Sequence, residues 1–165
     1  LGQHFYFTEN GEFASCTWYA EDVTKSETKY IELLIKGMES GIFKYVAHPD
    51  VYCLLEDHWT PEFEKMAHDI CKAAIKYDIP LEINLCHARE YGKRMDSGIL
   101  SYYEYPFTPF WEMVAKSKAK VVIGFDSHRP IDVYKPGLEI VDFIVKKTNV
   151  QPIYQLSLKD KKHKI

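Results

Sequence analysis

Residues 120–128, KVVIGFDSH, decide the fold class of this chain and also carry two of its most informative polar side chains. The apolar run that opens the stretch is typical of a short strand covered on both faces. Similar apolar runs recur along the chain, and amphipathic helical patterns separate them. Such regular alternation of strand and helix predicts parallel strands joined by helical crossovers, which is an α/β fold.

The pattern predicts nine elements along the chain. Strands are predicted at 3–7, 43–47, 81–85, 120–124 and 152–156, and helices at 27–39, 61–77, 110–117 and 137–147. The second helix has the strongest start signal, because Thr60 can cap it and Pro61 suits its first position. Residues 86–106 are predicted to form a long loop, and loops of that length are often functional.

Composition indicates one domain spanning residues 1–165, since 165 residues with 46% hydrophobic side chains can bury one substantial core. The 21 basic and 24 acidic side chains nearly balance, so nucleic acid is not an expected partner. No apolar run is long enough to cross a bilayer, and we expect no membrane partner. The four scattered cysteines favour reduced thiols in the cytoplasm. The oligomeric state stays open.

Polar side chains mark the ends of the predicted strands. His4 lies in the first, His48 follows the second, and Asp126 and His128 follow the fourth. Chemistry in parallel α/β folds collects at the C-terminal ends of the strands, so we expect these four groups to converge. Imidazole and carboxylate are suitable ligands for divalent metals. Each residue alone also has an ordinary interpretation, as a turn, a core histidine or a loop cap, but their joint occurrence favours a metal site.

Three further residues have two open interpretations each. Glu82 and Asn84 lie on one face of the third predicted strand, where they are either hydrogen-bonding partners of the metal ligands or plain structural groups. Arg89 is either a bidentate phosphate contact or a solvated loop arginine.

Four strings, in this order and spacing, resemble the polymerase-and-histidinol-phosphatase (PHP) family, and most closely its histidinol-phosphatase branch. They are GQHF at 2–5, AHPD at 47–50, LEIN at 81–84 and GFDSHRP at 124–130. The Asp126/His128 motif is similar to one shared across the family. The LEIN string followed by Arg89 is what resembles the phosphatase branch.

The resemblance implies part of a distorted (β/α)7 TIM-like barrel of parallel strands, with a trinuclear centre of divalent metals at the strand ends. By this resemblance His4 and His48 bind one metal, Asp126 a second and His128 a third, while Arg89 contacts the substrate phosphate. Asp126 and His128 are then also the catalytic residues. The sequence leaves zinc, manganese and iron open as the metal.

The resemblance covers nearly the whole chain but only about the last two-thirds of a family member. The family's opening His-x-His motif, its further histidines and its bridging glutamate would lie upstream of Leu1. We therefore expect the intact protein to be active and this piece alone to be inactive or strongly impaired. We also expect exposed strand edges.

The expected activity is metal-assisted hydrolysis of a small phosphomonoester. The resemblance implies L-histidinol phosphate as the substrate, converted to L-histidinol and phosphate in histidine biosynthesis. Two alternatives stay open: a PHP phosphoesterase acting on another substrate, such as a phosphotyrosyl protein or a nucleotide, and a catalytically inactive barrel fragment that binds a metal or a partner chain.

Overall fold

The computed structural model describes residues 1–16, 22–55, 59–86, 106–134, 138–153 and 156. Arg89 and most of the predicted loop at 86–106 lie outside the described residues. The described part of the chain is mixed α/β, with short strands and longer helices.

Two short strands form the centre of the sheet. They are β3, Leu81–Asn84, and β4, Val121–Gly124, while β1 and β2 lie outside this sheet. β3 and β4 pair in parallel over their whole length, with Leu81 opposite Val121. Both strands are largely covered, as expected for parallel strands with helices on their faces, although β3 also carries the polar residues Glu82 and Asn84. The predicted parallel pairing at 81–85 and 120–124 is thus confirmed.

Single parallel bridges extend this sheet on both sides. Val46 pairs with Leu81 on one side, and Pro152 pairs with Val121 on the other. The strand predicted at 43–47 therefore lies in the expected place but is reduced to a bridge, and the one predicted at 152–156, of which 154 and 155 lie outside the described residues, pairs at Pro152. A single bridge of this kind holds each segment beside its neighbouring strand.

A further segment lies beyond Val46. The Leu1 ammonium group donates to Tyr45 O at 2.9 Å, and Ala47 N donates to Leu1 O at 2.7 Å. This slanted pair of bonds has the pattern of parallel neighbours. Segments around residues 1, 46, 81, 121 and 152 thus lie side by side in chain order.

The strand predicted at 3–7 departs from the expected parallel arrangement. β1, Phe5–Phe7, pairs instead in an antiparallel hairpin with β2, Phe13–Ser15. The turn between them closes where Gly11 N donates to Thr8 O at 2.9 Å, and Gly11 has a φ of +79°. An Asn-Gly turn signal at 10–11 accounts for this hairpin, and turn chemistry decided the pairing here.

All four predicted helices are present, and the described residues form one further, short α-helix. The helices are α1, Val23–Glu39; α2, Pro61–Lys76; α3, Thr108–Ser117; α4, Pro130–Tyr134; and α5, Leu138–Thr148. Thr60 caps α2 by accepting from Phe63 N at 3.1 Å, as its sequence predicts. The short α4 and a 3-10 helix at Val51–Leu55 were not predicted, because one or two turns leave too few residues for a periodic pattern.

The core lies between the sheet and its helices. α1, α2, α3 and α5 pack against one another in that order, and buried aromatic side chains belong to the same hydrophobic cluster as the strand residues. The largest fully buried side chains are Trp111, Tyr30, Tyr52, Phe63 and Phe110. Among the helices that the structure describes, none combines the length and apolar character needed to cross a membrane.

Candidate metal centre

Unusual backbone conformations mark two strand ends. Among the residues that the structure describes, five other than glycine have a positive φ, and three of them, Asp78, Lys118 and Asn149, lie where a helix ends. A left-handed residue is common at that position. The other two, His48 at +36° and Asp126 at +43°, instead follow strand segments. Such a conformation costs of order 1–3 kcal/mol and concentrates at functional sites.

His4 and His48 form what we call the histidine pair. Their ring centroids lie 4.6 Å apart, with the rings tilted by 51°. His48 Nδ1 is buried and has no hydrogen-bond partner among the described residues. Burial, and next the charge of His4, lower the pKa of His48 to about 4, and burial also lowers the pKa of His4. Both rings are therefore neutral at neutral pH, which is the form that binds metals.

Gly2 allows the N-terminal segment to lie against the His48 ring. A Cβ atom at Gly2 would come within 2.9 Å of His48 Nε2, so a larger residue would push the ring aside. The glycine of the GQHF string thus has a packing role beside the histidine pair.

Cys86, Asp126 and His128 form a second group, the Cys–Asp–His cluster. One ligand atom from each lies within 4.8 Å of the others. His128 Nδ1 lies 3.6 Å from Cys86 Sγ and 3.7 Å from Asp126 Oδ1. Asp126 and His128 are exposed, and Cys86 is half-buried. Thiolate, carboxylate and imidazole together are a donor set typical of zinc.

Sequence reasoning placed Asp126 and His128 in the site but missed Cys86, which we had assigned to the loop after the third strand. A signal for it was present, because Cys86 lies two residues after Asn84 at the end of β3. The strand-end rule that selected His48 and Asp126 therefore also applies to Cys86.

Glu82 and Asn84 connect the two groups. Glu82 Oε2 accepts from His48 N at 3.0 Å and from Asn84 Nδ2 at 3.1 Å. Asn84 Nδ2 also donates to Asp126 Oδ2 at 3.1 Å, and its Oδ1 accepts from Cys86 N at 2.9 Å. The two side chains thus hydrogen-bond to residues of both groups, as expected for outer partners of metal ligands.

The Glu82 carboxylate is buried, with 3% of the residue exposed, and burial raises its pKa. Gly124, which pairs with Asn84 in the register of β3 and β4, makes room for it, since a Cβ atom there would overlap the Glu82 carboxylate. A largely apolar cavity of about 550 Å³ opens beside Glu82, lined also by Tyr45, Gly124 and Phe125.

Asp50 holds the turn after His48 against α3. Its Oδ2 accepts from Phe107 N and from Trp111 Nε1, both at 3.0 Å. The residue is fully buried, and its Oδ1 has no hydrogen-bond partner within the part of the chain that the structure describes. Burial raises the pKa of Asp50 to about 7.

Asp132 holds the backbone at His128. Its Oδ2 accepts from His128 N at 3.1 Å and from Arg129 N at 2.9 Å, and its Oδ1 accepts from Arg129 Nη2 at 3.0 Å. These bonds, first that of the Arg129 side chain, lower the pKa of Asp132. The turn carrying His128 is thus fixed from the first residues of α4.

The structure places the four predicted ligands in two groups at neighbouring strand ends, and among the described residues only Asp126 and His128 of the four belong to a group of three potential ligands within 4.8 Å of one another. His4 and His48 touch, Asp126 and His128 touch, and the charge of Asp126 acts on both histidines of the pair. Arg89 lies outside the described residues. The buried Nδ1 atom of His48 and the convergent donors of the Cys–Asp–His cluster fit a site for divalent metal.

The chain matches no family model, no curated protein and no solved structure. The resemblance to the PHP family therefore stays a prediction from the four strings.

Proposed function

We propose that this chain carries part of the metal centre of a PHP-type phosphomonoester hydrolase whose substrate is L-histidinol phosphate. The observation that supports this most is the placement of His4 with His48, and of Asp126 with His128, in two neighbouring groups that Glu82 and Asn84 connect. The histidine pair and the Asp126/His128 pair are far apart in the chain, and an ordinary structural interpretation of each residue would not require the two pairs to be neighbours. The choice of histidinol phosphate, and a place in histidine biosynthesis, rest on the resemblance.

The order of the sheet supports a barrel. Segments around residues 1, 46, 81, 121 and 152 are parallel neighbours in chain order, and the helices α1, α2, α3 and α5 pack against one another in chain order as well. A (β/α) barrel has this sequential order, whereas a doubly wound sheet reverses its order at a switch point. We therefore propose that the described sheet is an arc of the distorted (β/α)7 barrel.

Two to three divalent cations would be held by the histidine pair and by Asp126 and His128. When bound, such cations supply the Lewis acidity that phosphoryl transfer needs, and zinc, manganese or iron would serve. The chain's own residues prepare the site. Glu82 and Asn84 fix its two sides relative to each other, and low pKa values keep His4 and His48 free of a competing proton.

Two further features belong to this proposal. Arg89 would bind the phosphate of the substrate bidentately. The scattered cysteines suit a cytoplasmic enzyme of small molecules, acting on a phosphate ester and neither on nucleic acid nor at a membrane.

Phosphate release tests the function. We would load this chain, and the intact protein, with zinc or manganese and compare turnover of L-histidinol phosphate with that of p-nitrophenyl phosphate. In the active form, His48→Ala and His128→Ala should each lower turnover by about 100-fold or more, because each removes a ligand. The control is His68→Ala, an exposed histidine of α2 remote from the strand ends, which should keep full activity.

Three outcomes decide between the candidate functions. Equal or faster turnover of the aryl ester would contradict histidinol phosphate as the substrate and favour another PHP phosphoesterase. Tight metal binding without turnover in either form would favour an inactive metal-binding fragment. Unchanged turnover in both histidine variants would contradict the proposed centre itself.

A further inference from the structure

We propose that Cys86 is a metal ligand, and that its thiolate holds one cation together with Asp126 and His128 and makes this position selective for zinc. The inference rests on the proposed function only in requiring a metal at the strand ends. It adds a ligand that neither the strand-end prediction nor the PHP resemblance supplied, and it names the metal.

The distances within the Cys–Asp–His cluster suit one small cation. Zinc binds sulfur at about 2.3 Å and imidazole nitrogen at about 2.0–2.1 Å, so tetrahedral ligands of these two kinds lie about 3.6 Å apart. Cys86 Sγ and His128 Nδ1 lie 3.6 Å apart, and Asp126 Oδ1 lies 3.7 Å from the same nitrogen. The widest separation in the cluster, 4.8 Å at most, needs only a side-chain rotation to close.

One contact must be replaced when this site fills. His128 Nδ1 also lies 3.0 Å from the carbonyl oxygen of Asp126. A ring nitrogen cannot serve both as a donor to that oxygen and as a ligand, so binding exchanges the contact for a metal bond. His128 is exposed and Asp126 ends a strand, and both can make this adjustment without disturbing the core.

The position of Cys86 separates it from the other three cysteines. Cys16, Cys53 and Cys71 are buried in the core, and burial raises the pKa of each of their thiols. Cys86 is half-buried at the end of β3, and Asn84 Oδ1 fixes its backbone by accepting from Cys86 N. The same Asn84 side chain donates to Asp126, so one amide places two members of the cluster.

A thiolate ligand determines which metals are favoured. Sulfur is a soft ligand that suits zinc, whereas magnesium and manganese prefer oxygen ligands. A centre of histidine and carboxylate alone accepts several metals, and the addition of Cys86 narrows that choice at the Asp126/His128 position.

Cobalt substitution tests the ligand directly, without depending on activity. The full chain is loaded with Co²⁺, and a thiolate-to-cobalt charge-transfer band is sought in the near ultraviolet. Wild type and Cys71→Ser, the matched control on α2, should show the band, and Cys86→Ser should lose it while still binding cobalt. Zinc affinity of Cys86→Ser should fall about 10-fold or more, with a smaller change for manganese.

Alkylation of the wild-type chain gives a second measurement that does not depend on the folding of a variant. Zinc should slow the reaction of Cys86 with iodoacetamide about 10-fold or more, because a coordinated thiolate is no longer available, while the buried Cys71 should stay unmodified and shows that the protein remains folded. Mass spectrometry of the two peptides reports each rate.

The outcomes separate this inference from the proposed function. If the protein binds metal and hydrolyses the phosphomonoester, yet shows neither the cobalt band nor protection of Cys86, the inference is wrong and the proposed function stands. If no metal binds at all, both are wrong. If the band and the protection appear without phosphatase activity, the thiolate site stands and the proposed function is wrong.

Discussion

The two sides of the candidate centre are held in different ways. The histidine pair is half-buried, its His48 Nδ1 atom lies out of contact with solvent, and burial dominates the pKa values of both rings. In the Cys–Asp–His cluster Asp126 and His128 are exposed, and hydrogen bonds fix the backbone around them. Packing therefore places one side of the centre, and polar contacts place the other.

Two aspartates make the same contrast. Asp50, two residues after His48, is fully buried and its pKa is raised to about 7. Asp132, four residues after His128, accepts from the Arg129 guanidinium and its pKa is lowered. Both residues hold a turn that carries a candidate ligand, yet they affect stability with opposite dependence on pH.

The largest effect is expected from Asp50→Asn. Because folding favours the protonated form of Asp50, the contribution of this residue to stability should fall as the pH rises from about 4 to about 7, between its ordinary value of 3.8 and the raised one. The slope should approach roughly 1 kcal/mol per pH unit, and the neutral asparagine should remove it. Urea unfolding of the metal-free proteins across this range measures the divergence. Parallel pH profiles of the unfolding free energy for wild type and variant would show that ionisation of the buried Asp50 does not destabilise the fold.

Gly124→Ala should disturb the link between the two sides. The added methyl group would overlap the buried Glu82 carboxylate, and overpacking of this kind costs about 1–3 kcal/mol. The unfolding free energy of the variant measures this cost. In the double variant with Glu82→Ala the overlap is gone, so the two changes should cost less together than the sum of their separate effects. Simple additivity would contradict the overlap.

Alanine variants of His48 and His128, which lie on either side of Glu82 and Asn84, should differ in their unfolding free energy but not in their effect on metal binding. His48→Ala removes a ring packed against His4 and Gly2, and should cost about 1–2 kcal/mol of unfolding free energy in the metal-free protein. His128→Ala removes an exposed ring and should stay within about 0.5 kcal/mol of wild type. Thermal unfolding with and without zinc compares them, and equal costs would end the distinction between a packed side and an exposed side.

The smallest effect is expected from Asp132→Asn, with a sign opposite to that of Asp50→Asn. The lowered pKa of Asp132 means that its carboxylate stabilises the fold above the ordinary value of 3.8, and that this contribution is lost as the pH falls through the lowered value. The variant should therefore be less stable than wild type at neutral pH and approach it in acid. The same series of urea unfolding curves measures this, and a gap that widens in acid would contradict the assigned role.

The strand-end placement of the candidate ligands could be predicted from the sequence, because alternating apolar runs and amphipathic patterns show where strands and helices begin and end. Ala47-His48 and Phe125-Asp126 each follow an apolar run, and parallel order then brings them to one edge. The turn chemistry at Gly11 overrode the same pattern at residues 3–7 and produced a hairpin. A local signal there competed with the long-range one.

The supporting contacts could not be predicted, because they depend on exact three-dimensional neighbours. Asp50 follows a His-Pro pair and resembles an ordinary turn residue until its partners Phe107 and Trp111 are known. The space that Gly124 leaves for Glu82 depends on the register between β3 and β4, which a single sequence does not give.

The reach of the Asp50 carboxylate has a consequence for the time course of folding. It accepts hydrogen bonds from Phe107 and Trp111, which follow Asp50 by 57 and 61 positions. The His48 turn therefore gains its anchor only after that long loop has closed. Contacts of such high sequence separation form slowly, since the loop entropy is lost before the bonds form. The histidine pair should accordingly mature after the hairpin of β1 and β2, although it neighbours that hairpin in the sequence.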